Sequence, residues 1–286
     1  MYDRLATKSP IKWLGNKSYL AQSLRRLIEK EIDFDSTVIE LFSGSLGLSL
    51  YFGFPNVLAN DTNRELINFF QHQINGDHAS PHWNFSKDLY YKAREEYRTN
   101  INNDWCKKRR SDLFLFLNIA GFNGLYRVNQ KGTYNTPVGT ASSFPIAKIQ
   151  KCREFRKTAQ SWIFTSKCFS EFTHAQLNSS GLIYIDPPYA EEFNGYQGSF
   201  TMDDQLAVID SLKGVDTPVI ISNSIKNKTL LKAYREAGFR LYRIKVNRYV
   251  AANGDKRKQV SELVAFRGFK TKKIRSLCPD LLPLLT

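Results

Sequence analysis

The stretch that most constrains the fold of this chain spans residues 184–189 and reads Tyr-Ile-Asp-Pro-Pro-Tyr. It closes a short apolar run that begins at Gly181, and two consecutive prolines end that run abruptly. Such a run is typical of a buried parallel strand. Asp186 would then lie at the carboxyl end of the strand, the edge where open α/β sheets bind ligands. The stretch therefore predicts an α/β sheet with a carboxylate at its ligand-binding edge.

The two prolines after Asp186 indicate what this carboxylate could do. Proline fixes φ and has no N–H group, so we expect a stiff loop whose carbonyls are free to accept hydrogen bonds. The carboxylate of Asp186 and the carbonyl of Pro187 could accept both hydrogens of an amino group on a purine, with Tyr189 stacked on the ring. The amino lone pair would then face an electrophile. An ordinary turn that ends a strand fits the same residues, and this motif alone does not decide between the two.

Length and charge narrow the class of protein. The chain has 286 residues, which suits one large domain or a core with an inserted lobe. Its net charge is +14, from 41 Lys and Arg against 27 Asp and Glu. So basic a chain predicts a polyanionic partner, for which nucleic acid is the usual candidate, and a generally basic surface is the alternative.

The apolar runs and the cysteines indicate the cellular compartment of the protein. No apolar run follows the start of the sequence, and the longest, Leu113 to Leu117, is far shorter than a membrane span, so neither a signal peptide nor a membrane segment is expected. The four cysteines are scattered without metal or redox spacing. We expect a cytoplasmic protein without a metal site.

A strand, a glycine turn and a short helix in the first part of the chain form a nucleotide-binding layout. The strand is predicted over Thr37–Phe42 and the turn contains Gly44. A second strand, Asn56–Asn60, ends at Asp61, a little under twenty residues after the glycine. An acid at that place can bind two ribose hydroxyls. Asp61 could instead cap the helix predicted over Thr62–Ile74, and both roles can hold together.

The α/β alternation stops between about residues 63 and 160. We therefore predict a lobe at 63–160 inserted into a core formed by residues 1–62 and 161–286. Within this lobe, residues 121–139 combine Gly and Asn with aromatic and cationic side chains, which is typical of loops that stack on bases or read a groove. The cationic turn 247–258 suits phosphate contacts, although a solvated turn explains it equally well.

Taken together, these motifs and their order resemble those of the Dam-type (alpha-group) DNA adenine-N6 methyltransferases. The resemblance covers most of the chain. It rests on Lys12-Trp13, Gly15, Lys17, Phe42, Gly44, Asp61, residues 123–127, Pro137, Gly139, residues 186–189, residues 221–223, Asn253-Gly254, Arg257-Lys258 and Glu262-Leu263.

The resemblance implies a fold, a cofactor and a set of site residues. The fold would be α/β: a Rossmann-like mixed sheet of the S-adenosylmethionine-dependent methyltransferases, with a reversed terminal strand and an inserted, mainly helical DNA-recognition lobe. Arg127 would read a guanine edge through a bidentate pair, and the target base would swing out of the duplex. The implied catalytic residues are Asp186, Pro187 and Tyr189; the implied S-adenosylmethionine-binding residues are Trp13, Lys17, Phe42, Gly44, Asp61, Cys168, Phe169 and Asp186; and the implied DNA-binding residues are Phe122, Asn123, Leu125, Arg127, Asn135, Pro137, Arg257 and Lys258.

Five positions depart from the family pattern. Asn16 replaces a second glycine, Leu46 stands where the glycine loop has its second glycine, and Cys168 replaces an acid. Ile119-Ala120 replace an Arg-Tyr pair just before the loop at residues 121–139. These departures bear on donor affinity and on the recognised sequence.

The resulting prediction is a site-specific adenine-N6 DNA methyltransferase that uses S-adenosylmethionine and double-stranded DNA, needs no metal, and works as a monomer in a bacterial cell or the host cell of a phage. GATC is the expected site. A cognate restriction endonuclease is a partner that the resemblance leaves open. Two alternatives remain: a DNA-binding homologue impaired in catalysis, motivated by the altered glycine loop, and a protein glutamine methyltransferase, against which Asp186 argues because those enzymes generally have asparagine there.

Overall fold

A computed structural model describes residues 7–76, 85–99, 107–140, 146–189, 200–247, 259–271 and 274–284. The chain divides into two compact units. Of the described residues, the first unit holds 7–21 and those between 43 and 168. The second unit holds 22–42, 169–189 and those from 200 onward. The predicted inserted lobe, residues 63–160, thus falls within the first unit, together with the glycine turn.

The first unit is mainly helical, with one pair of parallel strands. Helix α1 (Ser18–Glu31) begins in this unit and ends in the second. The remaining elements of the first unit are α2 (Gly47–Phe52), β2 (Val57–Asn60), α3 (Arg64–Ile74), α4 (Lys87–Thr99), α5 (Lys107–Ala120), a 3-10 turn (Phe122–Gly124), α6 (Ile146–Thr158) and β3 (Ile163–Thr165), and β2 pairs in parallel with β3.

Helices α3 and α5 supply much of the core of the first unit. Phe69 and Phe70 on α3 are fully buried; Phe69 stacks on Phe114 of α5 with ring centroids 5.2 Å apart, and Phe70 stacks on Phe164 of β3 at 5.6 Å. Helix α5 contains the apolar run Leu113–Leu117, and the cationic residues that precede this run form the first turn of the helix. Its side chains are buried from Leu113 to Ala120, as expected for a helix that is apolar on all sides.

The second unit contains the larger part of a mixed sheet. Its strands are β1 (Val38–Glu40), β4 (Leu182–Ile185), β5 (Val219–Ser224), β6 (Arg240–Asn247), β7 (Gln259–Arg267) and β8 (Leu282–Pro283), in the order β1-β4-β5-β7-β6-β8. The first three are parallel, and β7 runs antiparallel between β5 and β6. Its helices are α7 (His174–Asn178), α8 (Met202–Ser211), α9 (Lys228–Glu236) and α10 (Ile274–Leu277), with a 3-10 turn at Phe169–Glu171. The predicted α/β fold with a mixed sheet and a reversed strand is confirmed.

The register of this sheet positions the Asp-Pro-Pro loop. Ile185, the last residue of β4, pairs with Ile221 of β5. Asp186 and Ser222 are therefore next to each other at the carboxyl ends of two parallel strands. Among the described residues, no helix is long and apolar enough to cross a membrane.

Candidate active site and recognition loop

Asp186 is held by a hydroxyl from the neighbouring strand. Ser222 Oγ lies 2.8 Å from Asp186 Oδ1 and donates its proton to it. The Tyr184 hydroxyl lies 3.0 Å from the same serine oxygen. Since the one proton of the serine goes to Asp186, Tyr184 must donate to Ser222. The carboxylate is partly buried and fixed in rotation by this chain of hydroxyls.

The two proline carbonyls of the loop differ in their partners. Gln205 Nε2 donates to the carbonyl of Pro188 at 2.7 Å, and Asn223 Nδ2 donates to Gln205 Oε1 at 2.8 Å. The expectation that both carbonyls would be free to accept was therefore wrong for Pro188. The Pro187 carbonyl accepts no hydrogen bond from the residues that the structure describes. Of the two, Pro187 keeps the acceptor that a ligand amine needs.

Tyr189 ends the loop and is buried. Its hydroxyl donates to Glu262 Oε2 on β7 at 3.3 Å, and both side chains are 6% exposed. The hydrogen bond to Glu262 orients the Tyr189 ring through its hydroxyl group. The Asp-Pro-Pro-Tyr loop is thus tied to two strands of the second unit, β5 through Ser222 and β7 through Glu262.

Three phenylalanines form an aromatic cluster in the second unit. Phe42 lies 5.7 Å from Phe169 and 5.6 Å from Phe200, centroid to centroid, and Phe169 lies 6.2 Å from Phe200. Phe42 and Phe200 are half-buried. Sequence analysis predicted Phe42 and Phe169 as site residues but missed Phe200, which carries no motif.

In the first unit, the glycine turn and Asp61 are joined. Gly44 N–H donates to Asp61 Oδ2 at 3.0 Å, and Asn63 N–H donates to Asp61 Oδ1 at 2.9 Å. Burial raises the pKa of this carboxyl, and the two N–H donors act in the opposite direction. Each carboxylate oxygen retains a second lone pair, so Asp61 can still accept from a pair of adjacent hydroxyls. The helix cap itself is Asn63, whose side chain accepts from two backbone N–H groups of α3.

Gly44 also permits a close approach by Trp13. Its φ is +46°, and a Cβ at this position would lie 3.2 Å from Trp13 Cδ1. Lys17 is 6% exposed and donates to the carbonyl of Gly15 at 3.0 Å. Asn16, which replaces a family glycine, donates from Nδ2 to Ser45 Oγ at 2.9 Å. The N-terminal loop, residues 9–17, therefore packs on the glycine turn.

The other departures in this region have local structural accounts. Leu46 is fully buried and has φ +61°, the left-handed conformation that the family's glycine would adopt without strain. A leucine there costs about 1–2 kcal/mol of backbone strain. Cys168 is exposed. Before it, the Asn60 side chain binds both the N–H and the carbonyl of Lys167, at 2.9 and 3.0 Å, and so fixes the chain that leads to Cys168.

The recognition loop, residues 121–139, is a closed and well-bonded structure. Isolated antiparallel bridges join Gly121 to Val138 and Val128 to Tyr134. At its turn, Phe122 is 42% exposed, and Asn123 is exposed with φ +53°. The backbone thus presents Phe122 and Asn123, two of the implied DNA-binding residues, to solvent.

Arg127 projects from this loop with its guanidinium oriented by Asn135. Arg127 Nε donates to Asn135 Oδ1 at 2.8 Å, and Nη2 donates to the Asn135 carbonyl at 3.3 Å. Pro137 is exposed near them and Leu125 is half-buried. Arg257 and Lys258, also predicted to contact DNA, lie outside the described residues.

Sequence analysis gave no site role to two polar residues that make specific hydrogen bonds, Ser222 in the second unit and Asn118 in the first. Ser222 was part of the family pattern but received no role; its place after a strand paired with that of Asp186 is the signal that could have found it. Asn118 is a buried amide within the apolar run of α5. A single uncharged polar residue in such a run signals a specific hydrogen-bonding role.

The fold and these groups define a class of protein. The first unit has a nucleotide-type glycine turn, and the second has an oriented carboxylate beside a proline carbonyl. Each of these features suits an enzyme that transfers a group to an amine. Residues 13–250 match the model of the D12 class N6 adenine-specific DNA methyltransferases. The chain belongs to this family of DNA adenine methyltransferases.

Individual relatives agree with this assignment. The chain is 33% identical over 276 residues to a DNA adenine methylase of Vibrio cholerae serotype O1, covering 89% of this chain and 94% of the relative. It is 30% identical to the retron Ec67 DNA adenine methylase of Escherichia coli, covering 90% of each, and 30% identical to the DNA adenine methylase of E. coli K12, covering 89% and 93%. Among solved structures, an rRNA methyltransferase from Streptomyces viridochromogenes is similar with a TM-score of 0.38 and 10% identity, covering 92% of this chain and 90% of that one; a score of this size supports no inference.

Proposed function

We propose that this chain methylates N6 of an adenine that has been turned out of double-stranded DNA, with S-adenosylmethionine as the donor. The observation that carries the proposal is the oriented carboxylate of Asp186, which lies beside the Pro187 carbonyl at the end of β4, in a chain of this family. When bound, the donor supplies an electrophilic sulfonium methyl group. The family membership and each site group below support this reading.

The residues present fit such a donor. Asp61 offers two carboxylate oxygens, each with a lone pair left for one of two ribose hydroxyls. The aromatic cluster of Phe42, Phe169 and Phe200 offers ring surface for a purine.

The acceptor chemistry follows from the Asp-Pro-Pro-Tyr loop. An exocyclic amine is a poor nucleophile because its lone pair is delocalised into the ring. Asp186 and the Pro187 carbonyl accept its two hydrogens and so direct the lone pair outward, while Tyr189 borders the base. Holding the amine in this attack geometry is the main catalytic contribution of these residues. N6 would form a bond to the methyl carbon as the bond from that carbon to sulfur breaks. The methylated amine is then cationic and acidic, and it loses one proton to water along its hydrogen bond to Asp186, so Asp186 need not be a strong base.

The recognition loop reads the target sequence in this proposal. Phe122 and Asn123 occupy the space left by the extruded base. Arg127 donates two hydrogen bonds to a guanine edge, and Pro137 and Leu125 border the bases. GATC is the proposed site, and the proposed compartment is the cytoplasm of a bacterial cell or phage host.

The test is sequencing of DNA from cells that express the chain, by a single-molecule method that reports modified bases in context. We expect N6-methyladenine in one short sequence, and none in cells that express Asp186→Ala. The purified Asp186→Ala protein should still bind duplex DNA. Full methylation by this variant would overturn the proposal, whereas a wild-type chain that binds DNA but no donor would favour the catalytically impaired alternative.

A further inference from the structure

Asn118 joins two segments that lie far apart in sequence. It is 4% exposed in helix α5. Its Oδ1 accepts from the N–H of Lys12 at 3.0 Å, and its Nδ2 donates to the carbonyls of Lys12 at 2.8 Å and of Gly124 at 2.9 Å. A buried amide is costly unless it is hydrogen-bonded. Here every bond goes to the backbone of either the N-terminal loop or the recognition loop.

The two loops also touch directly beside this amide. A Cβ at Gly124 would lie 2.6 Å from Lys12 Cβ and 2.7 Å from Lys12 Cδ, and Gly124 has φ +66°. Any side chain at position 124 would therefore push the loops apart. The junction depends on both a glycine and the amide of Asn118.

The same N-terminal loop contacts the residues proposed to bind the donor. Trp13 follows Lys12, and its ring stacks on Tyr126 of the recognition loop with centroids 5.8 Å apart. On its other side, Trp13 Cδ1 lies against Gly44, whose N–H is bonded to Asp61. A continuous set of contacts within the first unit thus runs from Asp61 through Gly44 and Trp13 to the recognition loop.

We propose that Asn118 is a positioning residue that couples donor binding to reading of the target sequence. The inference rests on the proposed function. It adds a positioning residue and a thermodynamic linkage between donor binding and DNA binding. A donor that orders Gly44 and Trp13 also orders the recognition loop, because Asn118 fixes that loop to the backbone just before Trp13. By linkage, a duplex that orders the loop tightens donor binding by the same factor.

The experiment measures the donor dissociation constant by calorimetry, using S-adenosylhomocysteine as the probe. It is measured with and without a short duplex that carries the methylated sequence found in expressing cells. For the wild-type chain we expect the duplex to tighten binding about 10-fold, within the usual range for coupled sites. For Asn118→Ala this ratio should fall to about 1.

Trp162→Phe is the matched control. Trp162 Nε1 donates a buried hydrogen bond of 2.8 Å to the carbonyl of Phe54, in the same unit but in neither loop. Its loss should weaken the fold and leave the ratio as in wild type. If Asn118→Ala weakens binding of both ligands but keeps the wild-type ratio, Asn118 has only a structural role and the proposal is overturned.

Hydrogen exchange on the wild-type chain tests the coupling without any variant. Adding S-adenosylhomocysteine alone should slow exchange in peptides that cover residues 121–139, and unchanged exchange there would contradict the coupling. A chain that binds no donor at all would instead contradict the proposed function. Donor binding and methylation with no such protection would contradict the coupling and leave the proposed function intact.

Discussion

The orientation of one carboxylate decides what this site can do. Asp186 could rotate about its side-chain bonds if only its own backbone held it. The hydrogen bond from Ser222, itself supported by Tyr184, fixes Oδ1 and thereby sets the direction of the remaining acceptor positions. Small displacements of a reacting group are costly, since a misplacement of about 1 Å can reduce the rate by about 10²-fold.

We therefore expect Ser222→Ala to lower kcat by on the order of 10²-fold. Ser222 is buried, and its replacement by alanine removes the hydroxyl that orients Asp186 without adding bulk. Single-turnover methylation with radiolabelled donor measures the effect. Tyr184→Phe is the control, because it removes a hydroxyl that touches Ser222 but not Asp186, and it should lower kcat less. Wild-type turnover by Ser222→Ala would show that the carboxylate is oriented by other contacts.

We expect Asp61 to give donor binding a pH dependence. Burial raises the pKa of its carboxyl, against the effect of two backbone N–H donors. Only the ionised form can accept from both hydroxyls of a ribose. Donor affinity should therefore fall on acidification. An ordinary aspartate has a pKa of about 3.9, and because the pKa of Asp61 is raised, the fall should begin at a higher pH than such a residue would give. Calorimetric titration over a pH series measures this decline.

Asp61→Asn supplies the comparison for that series. The amide cannot ionise, so the variant should bind the donor weakly and with no such decline on acidification. A decline of equal size in wild type and variant would assign the pH dependence to another group.

At the scale of elements, Arg127 and Asn135 of the recognition loop form a pair that we expect to act together on DNA. Asn135 engages Arg127 at Nε and Nη2, which orients the guanidinium. We expect Arg127→Ala to cost about 1–3 kcal/mol of discrimination at one guanine, because the bidentate pair is lost. Asn135→Ala should relax discrimination at the same base pair by a smaller amount. Competition binding with duplexes changed at one base pair measures the discrimination of both variants. A loss of affinity that is equal for all duplexes would contradict base reading by this pair.

Helix α6 binds the N-terminal loop through Lys148, whose Nζ donates to the carbonyl of Pro10 at 2.7 Å. Burial, with added repulsion from Lys151 and Lys12, lowers the pKa of this amine to about 8. Between about pH 8 and the ordinary lysine value of about 10.4, the unfolded chain binds more protons than the folded one. The free energy of unfolding should therefore rise with pH across this window.

Lys148→Met removes this contribution while keeping an unbranched side chain. Urea unfolding at the two ends of the window should show a smaller rise for the variant than for wild type. Equal rises would mean that the amine of Lys148 has a similar pKa in both states.

The elements were predictable where a local pattern decides them. The strand before Asp186 and the helix that follows Asp61 were both predicted, because apolar periodicity and turn residues specify them locally. Helix α6 was missed because its basic side chains show little helical periodicity of apolar residues. Phe200 and Asn118 were missed as site residues because their roles arise from residues distant in sequence. Strand register, which places Ser222 beside Asp186, also depends on the whole sheet.

At the scale of the whole molecule, the charge of +14 predicts how DNA binding responds to salt. Each phosphate neutralised by a cation releases counterions, so affinity falls steeply with salt. We expect affinity for a short duplex to fall by about 10³-fold or more between about 50 and 200 mM salt. Donor affinity measured in the same buffers should change little. A flat response for DNA would mean that the basic residues do not contact the phosphates.

The central claim is that the Asp-Pro-Pro-Tyr loop directs an adenine amine toward a methyl donor. Its most direct test is mass spectrometry of nucleosides from duplex DNA incubated with the pure chain and S-adenosylmethionine carrying a trideuterated methyl group. The account predicts labelled N6-methyladenine with the wild-type chain and none with Asp186→Ala. Label on cytosine, or label on adenine at the wild-type level with Asp186→Ala, would contradict it.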